Sequence, residues 1–163
     1  MTVRIYVPST LHRLRSIVTA DGIGPAPFVA HAVTAAVREA MAGAGEEEWE
    51  YAASTAAAQS SIGMLQADEP ARRVVIAVDV PSARAAGTAD PTVVEIDDVA
   101  PFRLVAAVLT DSADAESDVA RARDAVAGRS GDAEEAAERC LDHELGWWAA
   151  QEVRDLLVAT GVA

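Results

Sequence analysis

The stretch Val74-Val75-Ile76-Ala77-Val78-Asp79-Val80 is an almost continuous apolar run that stops at Pro81. A run of this length fits a β-strand that is buried on both of its faces. We therefore expect an interior strand here, with the other elements of the fold arranged around it.

Weaker patterns on both sides of this run predict the remaining elements. Residues 2–7 alternate Val3, Ile5 and Val7 with other side chains, which is the period-two pattern of a strand. Further strands are predicted at 28–33, 93–96 and 104–110, the last two as antiparallel neighbours. Helical spacing, capping residues and breakers predict helices from Leu11 to the loop 21–27, from Thr34 to about Met41, from Glu46 to about Ala67, over 114–127, and from about Asp132 to Ala159.

Strands that cluster in sequence and are followed by clustered helices indicate an α+β protein. We expect one domain over residues 1–163. It should have a mixed or mostly antiparallel sheet of four to five strands, helices packed on that sheet and a long C-terminal helix bent at Gly146. In the helix from Glu46, small side chains recur on one stripe, so we expect close packing there and a central, buried helix: Ala53, Ala56, Ser60, Gly63 and Ala67.

The charge of the chain limits the partners it can have. With 26 acidic and 13 basic residues, the formal net charge is -13. Such a surface repels nucleic acid and anionic membranes, because both are bound mainly through Lys and Arg. The single cysteine, Cys140, and the lack of a signal-peptide pattern favour the cytoplasm. We expect no nucleic-acid or membrane partner.

Two residue types are missing altogether, since the chain has no Lys and no Asn. Without Lys there is no Schiff-base enzyme, no pyridoxal-phosphate attachment, no phosphate-loop lysine and no kinase-type chemistry. Other short motifs also fail. The Gly22 loop lacks the third glycine of a dinucleotide site, residues 114–125 lack the Gly and Glu of a calcium loop, and residues 128–131 are not a nucleophile elbow.

The most chemically suggestive segment runs from Cys140 to Trp148. His143-Glu144 begins like a helical zinc motif, but Trp147 stands where the second histidine is needed, so the motif fails. On a helix, Cys140 and His143 would share a face and could start a metal site or a thiolate–imidazole pair with His31 or Glu152. A buried cysteine and a structural histidine explain the same residues, so we expect no metal and no cofactor.

The adjacent residues Trp147 and Trp148 are unusual in a chain with only 4% aromatic residues. On a helix they would lie about 100° apart, so one would pack inward while the other formed a pocket wall or a subunit contact. His31, and Asp79 at the end of the apolar run, are weaker candidates with equally good structural explanations.

Several segments together resemble a known family. Residues 3–8, 31–34, 50–53 and 142–145 are similar to an actinobacterial family of uncharacterised proteins, described as a domain of unknown function. The abundance of Ala and Arg without Lys or Asn also suits a GC-rich actinobacterial genome. The resemblance implies no activity and no catalytic residues.

Two functions remain open from the sequence. The first is a small acidic binding or interaction protein, with a protein partner or a second copy of itself as the ligand, and with Trp147, Trp148 and Asp142 at the binding surface. The alternative is a small, hydrolase-like enzyme with a pocket centred on His143 and Glu144, to which His31 could contribute.

Overall fold

The computed structural model describes residues 1–163, and its main feature is a seven-stranded antiparallel sheet. The strands are β1 Val3–Ser9, β2 Gly22–Ile23, β3 Phe28–Ala32, β4 Val74–Val80, β5 Arg84–Ala85, β6 Val93–Ile96, β7 Ala100–Pro101, β8 Val105–Thr110 and β9 Gly146–Ala149. The helices are α1 Leu11–Ala20, α2 Ala35–Ala40, α3 Glu46–Ile62, α4 Glu116–Ala127, α5 Ala133–Arg139 and α6 Val153–Ala159.

The apolar run Val74–Val80 forms the interior strand β4. It lies between β1 and β8 in the order β5-β6-β3-β1-β4-β8-β9, and every neighbouring pair is antiparallel. Residues 74–78 are all buried, which confirms that this strand is covered on both faces. The strands β2 and β7 pair separately as a small ribbon.

Each face of the sheet has its own helical layer. On one face α1 and α6 pack against the apolar side chains of β1, β4 and β8 in the larger core. On the other face α3 packs through Ala53, Ala57 and Ala58 against Tyr6 and Val75. The C-terminal end of α3 also meets α4 and α5 in a third cluster around Val119.

The prediction of four to five strands is wrong, because the sheet has seven. β5 is two residues long, so it is too short to produce a sequence period. The predicted pairing of 93–96 with 104–110 is also wrong. β6 pairs with β3, β8 pairs with β4, and both interactions join segments that are distant in sequence.

The long C-terminal helix is the second correction. The segment is divided into α5, a 3-10 turn over Cys140–Asp142, the strand β9, a second 3-10 turn over Ala150–Glu152, and α6, which is only seven residues long. Gly146 disfavours a helix and tryptophan favours a strand, so this segment pairs with β8 as the edge strand β9. Cys140 and His143 therefore do not share a helical face.

Of the small-residue stripe predicted on α3, only Ala53 is fully buried. The helix begins at Glu46 as expected, but its buried residues are Ala53, Ala57, Ala58, Ser61 and Ile62. The residues Ser60, Gly63 and Ala67 are exposed and Ala56 is only half-buried. The C-terminal part of the stripe is consequently open to solvent. None of the helices combines the length and the apolar character needed to cross a bilayer.

Candidate functional site

A groove runs between helix α3 and the strands β8 and β9, and we call it the α3–β9 groove. Its inner end is a pocket of about 250 Å³ lined by Arg73, Leu141, His143, Glu144 and Leu145. Its outer end, of about 330 Å³, is lined by Arg4, Tyr6, Glu47, Glu50 and Trp147. Tyr51, Ser54 and Leu109 line both ends, so the two pockets form one continuous depression.

Helix α3 supplies one wall of the groove because of its residue spacing. The residues of α3 that border the groove recur every three or four positions, with one adjacent pair, and therefore lie on one helical face. They are Glu47, Glu50, Tyr51, Ser54 and Ala58. Tyr51 is 68% exposed. This face lies beside the buried stripe of α3. The helix therefore packs against the sheet through one face and borders the groove with the next.

The strand β9 supplies part of the opposite wall. Leu109 of β8 pairs with Trp147, and Val108 pairs with Trp148. Because successive side chains of a strand alternate between its faces, the two indoles lie on opposite sides of the sheet. Trp148 is half-buried against the larger core, whereas Trp147 is 65% exposed at the groove.

The groove has an excess of negative charge. Arg4 donates two hydrogen bonds to Asp79, the shorter one 2.6 Å long, and this interaction lowers the pKa of Asp79. By contrast, Glu47, Glu50 and Glu144 form no ion pair. The positive charge of Arg4 is therefore neutralised while three carboxylates stay free.

Arg73, the other arginine at the groove, is neutralised as well. Its Nε and Nη2 donate to the two carboxylate oxygens of Asp111 at 2.9 and 2.8 Å, and both side chains are almost fully buried. Its remaining contacts are with the Gln59 side chain on α3 and the main-chain carbonyl of His143. One guanidinium thus connects helix, sheet and the segment before β9, and it fixes the inner end of the groove.

His143 is held by a partner that the sequence did not indicate. Its Nε2 lies 2.8 Å from Oδ2 of Asp118 on α4, and this hydrogen bond lowers the pKa of Asp118. Nearby, Cys140 is fully buried, and its thiol donates to the carbonyl of Ala136. Burial raises the pKa of this thiol, so Cys140 is suited to packing rather than to nucleophilic attack.

The structure places the candidate residues from the sequence in different parts of the fold. His143, Glu144 and Trp147 all border the α3–β9 groove. Trp148 lies on the other side of the sheet, and Asp142 is exposed but does not line the groove. His31 hydrogen-bonds to Thr92 and Ser60 and is not part of the groove, so the structure does not bring it together with His143. No three His, Cys, Asp or Glu side chains are grouped as metal ligands.

Several residues of the groove had no usable sequence signal. Arg73 lies 38 positions from Asp111, and Asp118 lies 25 positions from His143, so neither pair forms a local pattern. The spacing of Glu47, Tyr51, Ser54 and Ala58 on one face was visible in the sequence. What it lacked was any indication that this face lies along a groove.

Comparison with known proteins gives the chain a family but no activity. The chain belongs to a family of unknown function, DUF6912, which matches residues 3–157. This confirms the expected resemblance to a domain of unknown function. No curated protein and no solved structure matches the chain.

Proposed function

We propose that this protein is a binding protein, and that the α3–β9 groove holds a positively charged segment of a partner protein. The observation that carries the proposal is the charge of the groove. Glu47, Glu50 and Glu144 are unpaired, while Arg4 and Arg73 are each neutralised by an aspartate.

The aromatic residues of the groove suit the same ligand. Tyr51 and Trp147 are 68% and 65% exposed, which is unusual for side chains of this size. The face of an aromatic ring attracts a Lys or Arg side chain, and the apolar stem of that side chain also covers the ring. The rings supply contact area, and the carboxylates select cations.

The whole molecule reinforces this selection. A net charge of -13 attracts basic partners over a distance and raises their rate of association. Self-association is the other form of binding that the sequence allows. It is disfavoured at this groove, because the second copy would bring further negative charge to three unpaired carboxylates.

The test uses a fluorescently labelled peptide in which lysine alternates with leucine, and binding is followed by anisotropy. We expect it to bind the whole protein, and a matched glutamate–leucine peptide not to bind. Trp147→Ser should weaken binding by about tenfold, or about 1.4 kcal/mol. Replacing Glu47, Glu50 and Glu144 together by Gln should weaken it at least as much.

A control variant separates the groove from the overall charge. Glu39, Glu134 and Glu138 are exposed, unpaired glutamates outside the groove, and replacing them by Gln removes the same charge. Equal loss of binding in both triple variants would contradict the proposal. If spermine displaced the peptide at a similar concentration, the ligand would be a small organic cation instead. Native mass spectrometry of the untagged protein tests self-association directly.

A second candidate function is a small hydrolase centred on His143, and it is favoured by one contact. Asp118 holds Nε2 of His143 at 2.8 Å, as a carboxylate orients a catalytic base, with Glu144 beside it in the same pocket. Ester hydrolysis that is lost in both His143→Gln and Asp118→Asn would favour this function. Peptide binding with no hydrolysis would support the binding proposal and contradict the hydrolase.

The composition supports two further parts of the proposal. A single cysteine suits the reducing cytoplasm, and the absence of Lys and Asn suits an actinobacterial origin. Recovery of the native protein from the soluble fraction of gently lysed cells would support the cytoplasm, and recovery from the culture medium would oppose it.

A further inference from the structure

A chain of hydrogen bonds outside the groove links four side chains from three parts of the fold. His31 of β3 is 4% exposed, and its Nδ1 lies 2.7 Å from the hydroxyl of Thr92. That hydroxyl lies 2.7 Å from Oδ1 of Asp90, and Nε2 of His31 lies 3.0 Å from the hydroxyl of Ser60 on α3. The chain is therefore Ser60, His31, Thr92 and Asp90, in that order.

The direction of each hydrogen bond follows from the donors available. A carboxylate can only accept, so the single hydroxyl proton of Thr92 is donated to Asp90. The oxygen of Thr92 must then accept from Nδ1 of His31, which therefore carries the proton of the neutral ring. Nε2 is left as an acceptor, and the hydroxyl of Ser60 donates to it. The proton of this serine thus faces a base, as in a nucleophile–histidine pair.

Ser60 differs in this respect from other serines on the helices. Ser16, Ser54 and Ser61 each donate to a carbonyl of their own helix, three or four residues earlier. Such bonding is the usual behaviour of a helical serine. Ser60 has the same opportunity, but its hydroxyl is directed to the imidazole instead.

The surroundings of Ser60 are open. Ser60 is exposed, and its neighbours on the same stripe, Ala56 and Gly63, are too small to cover it. Ser60 also does not line either end of the α3–β9 groove. The small side chains beside Ser60 therefore leave room for a group attached to this oxygen.

We infer that Ser60 is a site of covalent acylation, at which His31 acts as general base and an activated ester is the acyl donor. The oxygen of Ser60 attacks the carbonyl carbon, and its proton moves to Nε2 of His31. The bond to the leaving oxygen then breaks, and the leaving group takes that proton from the imidazolium. The products are an ester on Ser60 and a free alcohol. Because Ser60 lies on an exposed face of α3, we expect a single transfer and not rapid turnover.

Two properties of the chain favour a clean reaction. Burial lowers the pKa of His31, against the opposing effect of the Asp90 carboxylate 3.9 Å away, so the ring stays neutral at pH 7. The chain has no lysine, so the only competing amine is the N-terminus.

The test treats the whole protein with p-nitrophenyl acetate and locates the acetyl group by mass spectrometry. We expect one acetyl group on Ser60, none there in Ser60→Ala, and an unchanged result in the control Ser16→Ala, whose hydroxyl donates to its own helix. His31→Gln and Thr92→Val should each slow acetylation of Ser60 by at least about tenfold, since each breaks the proton chain. Thr92→Ser keeps the hydroxyl and should retain the wild-type rate.

Circular dichroism and urea unfolding identify any variant that fails to fold. In that case the acetylation rate of Thr92→Ser is compared with that of the wild type. The pH profile of the acetylation rate is a second test, because a network with a purely structural role would not impose the titration of His31 on that rate. The rate of Ser60 acetylation should hold at pH 7 and decline only as the pH falls below the ordinary histidine pKa of 6.5. Acetylation confined to the N-terminus, or an equal rate at Ser60 in His31→Gln that remains folded, would overturn the inference.

Discussion

The guanidinium of Arg73 and the carboxylate of Asp111 form a two-point ion pair that is almost completely removed from solvent, with 2% and 0% of their side chains exposed. Arg73 lies immediately before β4 and Asp111 immediately after β8, and the main-chain N–H of Arg73 also donates to Asp111. The pair therefore joins the start of one interior strand to the end of its neighbour.

Breaking this pair on one side should destabilise the protein strongly. Arg73→Leu would leave the Asp111 carboxylate buried without its partner, which costs about 3–5 kcal/mol of unfolding free energy. The double variant Arg73→Leu/Asp111→Leu should lose less than the single one, because no buried charge remains. Urea denaturation of both variants checks this. A double variant that is less stable than Arg73→Leu would contradict it.

The two adjacent tryptophans should behave in opposite ways. Trp148→Ala should cost about 2–3 kcal/mol of stability, because this partly buried residue packs against the larger core. Trp147→Ala should change stability by no more than about 0.5 kcal/mol, because its ring is exposed. Thermal unfolding of the two variants, compared with the wild type, measures the difference. Equal destabilisation would mean that Trp147 is also a packing residue.

Acidification should weaken the fold through His31. Burial lowers the pKa of His31 in the folded protein below its ordinary value of 6.5. The unfolded chain therefore binds a proton more readily, and the free energy of unfolding falls as the pH drops below 6.5, until the lowered pKa is reached. His31→Gln should show a smaller loss of stability over this window. Urea unfolding at several pH values tests this, and an unchanged slope in the variant would exclude His31 as the cause.

Salt should separate the two contributions to peptide binding in the groove. Charges at an exposed rim are screened when the ionic strength rises, so affinity for the lysine–leucine peptide should fall between low and physiological salt. In the triple variant of Glu47, Glu50 and Glu144, the remaining affinity should depend much less on salt. Anisotropy titrations at several salt concentrations provide the measurement. The same salt dependence in both proteins would place the interaction elsewhere on the surface.

The centre of the fold was predictable from sequence, whereas its edges were not. β4 and the helix α1 follow local rules, namely an apolar run and apolar spacing after a capping residue, and Thr10 does accept a hydrogen bond from the N–H of Arg13. β9 depends on pairing with β8, which is about forty residues away in sequence, and such a contact leaves no local period. A helix was therefore predicted where Gly146 and two tryptophans form a strand.

The candidate site was predictable only in part, and for the same reason. The cluster of His143, Glu144 and Trp147 was visible because these residues are close in sequence. The α3 wall and the role of Arg73 were not visible, because each depends on a long-range contact. The groove exists only where these distant segments meet.

Carbodiimide cross-linking tests the central claim most directly, since it joins a carboxylate to an amine only where the two are in contact. The chain has no lysine, so lysines of the bound lysine–leucine peptide should supply nearly all of the cross-links. We predict that peptide mapping will find them at Glu47, Glu50 and Glu144. Cross-links concentrated instead at exposed carboxylates outside the groove, such as Asp98 or Glu134, would contradict the account.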